Sequence, residues 1–124
     1  MTDREKILEH IRTESKDLKL RYADLEGVNL CHSDLQNAEL LFANLMGANL
    51  SGANLSNANL IGANLTKAHL TGANLTKANL TGALLSGADF TGTQLLRADF
   101  TGTDLTEVKL SDKQLNQIRG KEIQ

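Results

Sequence analysis

From Leu20 to Leu110, every fifth residue is Leu or Phe without exception. Seventeen of these nineteen positions are Leu, and the other two are Phe90 and Phe100. The residue two before each of them is Ala in thirteen cases; Leu18, Val28, Ser33, Thr93, Thr103 and Val108 fill the rest. A period of five matches neither the 3.6 of a helix nor the 2.0 of a continuous strand. It suits a short extended triplet followed by a tight turn. In Ala48-Asn49-Leu50 the first and third side chains point to one face and the second to the other. Ser51 and Gly52 must then turn the chain.

The turn chemistry agrees. A type II turn needs a positive φ at its third position, which favours Gly or Asn. Nine of the ten Gly fall there, two residues after a Leu or Phe, and Asn37 and Asn57 do so twice more. At Tyr22, His32, Phe42, Lys67, Lys77, Arg97, Glu107 and Asp112 the side chain predicts type I-like turns with negative φ instead. Four turns of about a right angle close a square of about twenty residues, so residue n stacks on n+20 at the ~4.8 Å spacing of paired strands. Nineteen repeats then make about four and three-quarter coils, a rod roughly 23 Å long. The expected fold class is an all-β solenoid, a right-handed quadrilateral β-helix with a short capping α-helix at each end. Outward Asn pairs such as Asn54 and Asn74 would stack as amide ladders along one face.

At 124 residues the chain is one domain by length. It has no Pro or Trp and only 3% aromatic residues, so Leu and Ala must build the core. The expected division is 1–17 as an N-terminal capping helix, 18–112 as repeats and 113–124 as a C-terminal helix and tail. Thr2 and Glu5 form a capping-box pattern ahead of Ile7, Leu8 and Ile11, which predicts a helix over about 3–15. Ser111 and Gln114 repeat that pattern, with Leu115 and Ile118 covering the last coil and Gly120 ending the helix.

The repeat Ala-Asn-Leu-x-x resembles the pentapeptide-repeat proteins, whose unit reads roughly A-[DN]-L-x-x, over about 95 residues. The resemblance implies the four-sided right-handed β-helix reached above. It implies little about activity, because the family is functionally scattered. Some members bind DNA gyrase or topoisomerase IV, shield them from quinolones by mimicking a DNA duplex, and dimerise through a C-terminal segment. On that resemblance, Leu115 and Ile118, with Leu110 and Ile123, become a candidate C-terminal contact and a homodimer a candidate state.

The charges argue against duplex mimicry, which stands as the alternative reading. Residues 1–42 carry nine acids and six bases, and 89–124 six acids and five bases, whereas 43–88 hold no acid and only Lys67 and Lys77. A mimic of duplex DNA, with about one charge per 1.7 Å, needs a continuous negative stripe. The net charge of −2 is also too small to imply direct binding of nucleic acid or of an anionic membrane.

Catalysis is not expected. His10, His32 and His69 fall in unrelated positions, and Cys31 beside His32 lacks a third ligand. No cofactor or metal is expected, and a filled rod offers no cleft for an enzyme. The N-terminal stretch has no apolar signal core, no run reaches the ~20 residues of a membrane span, and the single Cys suits a reducing compartment. A cytoplasmic location is the expectation. Against outward positions that are mostly Ser, Thr, Asn and Gly, the anomalies are Tyr22, Leu41, Phe42, Met46 and Ile61. Counting by twenty brings Tyr22 beneath Phe42 and Leu41 beneath Ile61, with Met46 just past the next corner. Leu84 and Leu96 stand apart, nearer the C-terminus. This patch predicts a structural or interaction protein that presents a face to a protein partner of unknown identity.

Overall fold

Residues twenty apart pair in parallel in the computed structural model, which describes residues 1–13 and 18–120. Thirteen successive pairings run from Lys19 with Glu39 to Asn79 with Asp99, one every five residues. The outward middle residue of each triplet thus sits directly beneath its counterpart one coil on, with four sides per coil.

Where the triplet carries Asn in the middle coils, a repeat uses all five of its N–H groups, which is what a backbone wound this tightly requires. Around Leu45, Leu45 N–H donates to Asn64 O at 2.8 Å and Gly47 N–H to Thr66 O at 2.9 Å, both in the next coil. Asn44 N–H donates back to Ala23 O at 2.9 Å, and Ala48 N–H closes the turn on Leu45 O at 3.0 Å. The remaining N–H, that of Met46, donates to Asn44 Oδ1 at 3.1 Å. The carboxamides therefore cap their own turns where stacked amide ladders were expected. Asn54 accepts from both the N–H (3.1 Å) and the hydroxyl (2.8 Å) of Ser56. A carboxylate serves equally well, since only an acceptor is needed: Asp24, Asp34, Asp89, Asp99 and Asp104 bond the N–H two residues on in the same way.

The same accounting corrects the turn types. Tyr22, His32, Phe42, Lys67, Lys77 and Arg97 all have φ between 56° and 61°, like the glycines. Types I and II differ by a flip of the central peptide, and a flip at one corner would point its N–H the wrong way along the rod. The bonds from Tyr22 N–H to Leu41 O and Lys67 N–H to Ser86 O, both 2.9 Å, would be lost. Keeping the stack in register outweighs the ~1–2 kcal/mol of a left-handed L-residue. Glu107 has no positive φ, as expected, and Asp112 starts a helix.

The inward column is dry. The Leu at every repeat from Leu40 to Leu80 is fully buried, and Phe90 and Phe100 meet at 5.9 Å near the far end. Ile11, in helix α1 (Asp3–Thr13), is buried in the same core, with Ile7 and Leu8 packed against it. Thr2 Oγ1 accepts from Glu5 N–H at 3.1 Å, which starts that helix. The part of the expected N-terminal helix over 14–17, and the tail 121–124 with Ile123, lie outside the described residues.

The repeat pattern continues to Leu110, but the pairing does not. No pairing joins residues 84, 89 or 94 to 104, 109 or 114, although Val108 N–H still closes its turn on Leu105 O at 3.1 Å. Thr103 and Val108 stand there where the coil before has Ala83 and Ala88. Side-chain bulk alone does not release the segment, because Thr93 stands where the coil before has Ala73 and Gln94 still pairs with Asn74.

Helix α2 (Asp112–Gln117) replaces one side of the next coil. It ends with Ile118 in an extended conformation, and Gly120 lies beyond it; the expectation that Gly120 ends the helix is corrected. After the helix the register returns, with Arg119 paired to Asp99 exactly one coil on. Gly120 has φ 84°, and a Cβ there would stand 2.5 Å from Thr101 N, so the strand's return demands glycine.

Two predictions follow from the turn chemistry. Lys67→Gly removes left-handed strain at an open corner and should stabilise the rod by about 1 kcal/mol, while Lys67→Val should cost at least as much. Equal urea midpoints for the two variants would refute the shared turn geometry. The Asp89 carboxyl is held below its ordinary range by the Thr91 hydroxyl and N–H, with smaller help from Thr71 and the nearby His69. A depressed carboxyl stabilises the fold above its unfolded pKa of about 4 and loses that contribution as pH falls through the lower folded value. Urea midpoints should therefore drop below pH about 4 by less in Asp89→Asn than in the parent.

Candidate functional site

The coil stack brings four of the five apolar anomalies together. Tyr22 and Phe42 share a corner column, their rings stacked at 5.5 Å and 11°. Tyr22 N–H donates to Leu41 O and Phe42 N–H to Ile61 O, both at 2.9 Å, so Leu41 and Ile61 form the adjoining column. The ring of Phe42 lies across Gly62, where an added Cβ would collide with it. The aromatic column stops there because Gly62 leaves room for the ring and supplies no side chain of its own. Met46 sits at the following corner, beyond the side formed by Ala43, Asn44 and Leu45.

Exposure separates the five. Tyr22 is 73% and Phe42 50% exposed, whereas Leu41, Met46 and Ile61 are half-buried. Two long side chains at turn positions cannot point inward in a core already filled by Leu and Ala, so they stand on the rod's surface. Beside them Arg21 and Glu39 form an ion pair at 2.9 Å, giving the aromatic corner a polar border. Leu84 (57%) and Leu96 (50%) are equally exposed but lie at the far end. Leu84 lines an opening of about 400 Å³ between its own coil and the detached segment carrying Asp104 and Glu107. Sequence counting had set both aside as outliers; the loss of pairing above them carries no clear sequence signal.

At the C-terminal end the arrangement is that of a lid. Ile118 is buried in the core and Leu115 packs against it half-buried, so Ile118 has little surface to offer a partner. Gln114 holds this lid. Its Oε1 accepts from Ser111 N–H at 2.9 Å, and its Nε2 donates to Phe90 O at 2.8 Å and Thr93 O at 3.0 Å. In a regular coil Thr93 O would receive the backbone N–H of residue 114. Here that N–H caps the helix on Ser111 Oγ at 3.1 Å, and the side-chain amide takes its place.

No group of three His, Cys, Asp or Glu among the described residues is placed to hold a metal, and none of the described helices is long and apolar enough to cross a membrane. Cys31 carries a thiol outside any disulfide, and the ring of the adjacent His32 lies across Gly52.

Models of pentapeptide repeats match residues 17–52, 48–87 and 73–112, together spanning most of the chain. The chain belongs to the pentapeptide-repeat family. Among solved structures it is similar to a pentapeptide repeat protein from the thylakoid lumen of Arabidopsis thaliana, at 36% identity and a TM-score of 0.61, covering 83% of this chain and 74% of that one. It is also similar to a pentapeptide repeat protein from Nostoc Pcc 7120, at 30% identity and a TM-score of 0.47, covering 93% of each chain. The plasmid-mediated fluoroquinolone resistance protein QnrB1 matches at 20% identity and a TM-score of 0.44, over 86% of this chain and 63% of that one. No curated protein matches it.

Gln114→Ala should cost about 2–4 kcal/mol, since it leaves a buried carbonyl unpaired and removes half of a capping box, whereas Ser111→Ala should cost about 1 kcal/mol. Urea denaturation of both variants measures the difference. Equal costs would mean that Gln114 acts only as a helix cap.

Proposed function

We propose that this member of the family is a non-enzymatic interaction protein that binds a protein partner through the Tyr22–Phe42 corner. The observation that carries this reading is the pair of exposed, stacked aromatic rings on a rod whose other corners are mostly Gly, Asn and Lys. Aromatic residues recur at interface centres because they bury large area with few rotatable bonds, and a half-buried apolar margin of Leu41 and Ile61 extends that area. A second copy of the chain is one such partner. The rod itself is read as right-handed and four-sided, about four and three-quarter coils long and closed by α1 and α2; the twenty-residue pairing and the buried Ile11 and Ile118 support this.

The topoisomerase-binding alternative requires an acidic stripe. The middle of the rod, residues 43–88, has Lys67 and Lys77 and no acid. That leaves the aromatic corner as the favoured contact.

The test replaces the rings without disturbing the turns. Gly62, Gly82 and Gly102 occupy the same column, so Tyr22→Gly with Phe42→Gly keeps the backbone and relieves two left-handed residues. The loss of a stacked pair, about 0.5–1.5 kcal/mol, is offset by that relief, so stability should change little. Size-exclusion with light scattering, and cross-linking in extracts of the native host, should show the parent chain in a complex that the double variant fails to form. A parent and a variant with identical masses and identical cross-linked partners would remove this corner from consideration.

A further inference from the structure

The corner column of Asn37, Asn57, Lys77 and Arg97 is the one without glycine, and all four have positive φ. Its last two members place cationic residues one coil apart, their backbones at about the 4.8 Å spacing of paired strands. The return of the chain after α2 then adds a third. Arg97 N–H donates to Gln117 O at 2.8 Å, Arg119 N–H to Ala98 O at 2.8 Å, and Phe100 N–H to Arg119 O at 2.8 Å. These bonds seat Arg119 above Asp99, on the side adjoining the Lys77–Arg97 corner. Lys77, Asn79, Arg97, Asp99 and Arg119 together line a groove of about 320 Å³.

The charges in this groove are not balanced. Among the described residues none of the three cations has a carboxylate within ion-pair distance, although Arg21 and Arg12 each have one. Asp99 is the groove's one acid, and its Oδ1 is already occupied by the N–H of Thr101 at 2.9 Å and its hydroxyl at 2.5 Å. Three cations against one carboxylate leave a net charge of +2. Stacked like charges repel, and an anion held between them removes the repulsion.

We propose that Lys77, Arg97 and Arg119 bind a phosphate dianion, free or carried as a monoester. Two guanidinium forks match pairs of phosphate oxygens, the Lys77 ammonium adds a point charge, and the net +2 matches a dianion where a single carboxylate would neutralise half of it. The site is separate from the Tyr22–Phe42 corner, near the opposite end of the rod, and stands independently of it.

The column supplies its own control substitution, because Asn37 and Asn57 already hold the same turn at φ 63° and 59°. Inorganic phosphate and glycerol 3-phosphate are titrated into the full chain and followed by amide chemical shifts. Saturable shifts are expected around Lys77, Arg97, Thr101 and Arg119, and the tighter of the two probes identifies the source as free or esterified. Arg97→Asn and Lys77→Asn should each weaken binding by about tenfold with no fall in the urea midpoint, while Lys67→Asn, at a corner with no second cation, should leave binding unaltered. Absence of saturation at millimolar phosphate, unchanged affinity in both column variants, or an equal loss in Lys67→Asn would overturn the site.

Discussion

The structure depends on one geometric demand: every corner must aim its N–H in the same direction along the rod. In the paired coils the corner N–H and two of the side N–H groups donate to carbonyls one coil away, so one flipped peptide disturbs the bonds between two coils. That cooperative constraint explains why Tyr22, His32, Phe42, Lys67, Lys77 and Arg97 accept a conformation their side chains disfavour. It also fixes where such side chains go. In three cases the residue lies beneath a glycine, as Phe42 beneath Gly62, His32 beneath Gly52 and Lys67 beneath Gly87, where the absent Cβ leaves room for it.

The ends show what happens when that demand is released. Between Thr101 and Leu110 the turns persist, but the cross-coil bonds do not, and here Glu107 reverts to a φ outside the positive range. Gln114 then joins the lid to the coil by giving its side-chain amide to the carbonyl that its own backbone N–H would otherwise serve. The helix consumes one side without changing the count, so Arg119 meets Asp99 exactly twenty residues on. The rod can end on a helix and still regain its register.

The core, the coil length and the helix starts were legible because each rests on a short-range or strictly periodic signal. Leu and Ala at fixed offsets mark the inward face, and the twenty-residue stack needs only four turns of equal angle. The turn types of Tyr22 and Phe42 were misread because single-residue preference was weighed without the bonds between coils, which no local window contains. The outward Asn were assigned to ladders for a related reason: the competing acceptor role, toward the N–H two residues on, becomes visible only when all five N–H groups of a repeat are counted. The loss of pairing after Thr101 was not legible: Thr103 and Val108 carry more volume than the Ala they replace, but so does Thr93, whose repeat stays paired at Gln94. For the candidate contact, counting by twenty placed Tyr22 beneath Phe42, but the half-burial of Leu41, Met46 and Ile61 depends on side-chain packing that position alone does not give.

A backbone this constrained has little shape left to vary, so recognition must be carried by what each column displays. Corners are the natural place, because a residue there is freed from both the core and the Asx bond of the triplet. The chain decorates its corners unevenly. Aromatic rings occupy one column at Tyr22 and Phe42, and the glycine-free column changes from amide to cation along its length, from Asn37 and Asn57 to Lys77 and Arg97. Both departures cost left-handed strain that glycine would avoid, about 1–2 kcal/mol per residue. A stack held by about three cross-coil bonds per side can absorb that strain, each bond adding ~1 kcal/mol net. The rod thus has stability to spare at its corners, and the residues that use it are those whose side chains face the solvent with something other than a hydroxyl or an amide to offer.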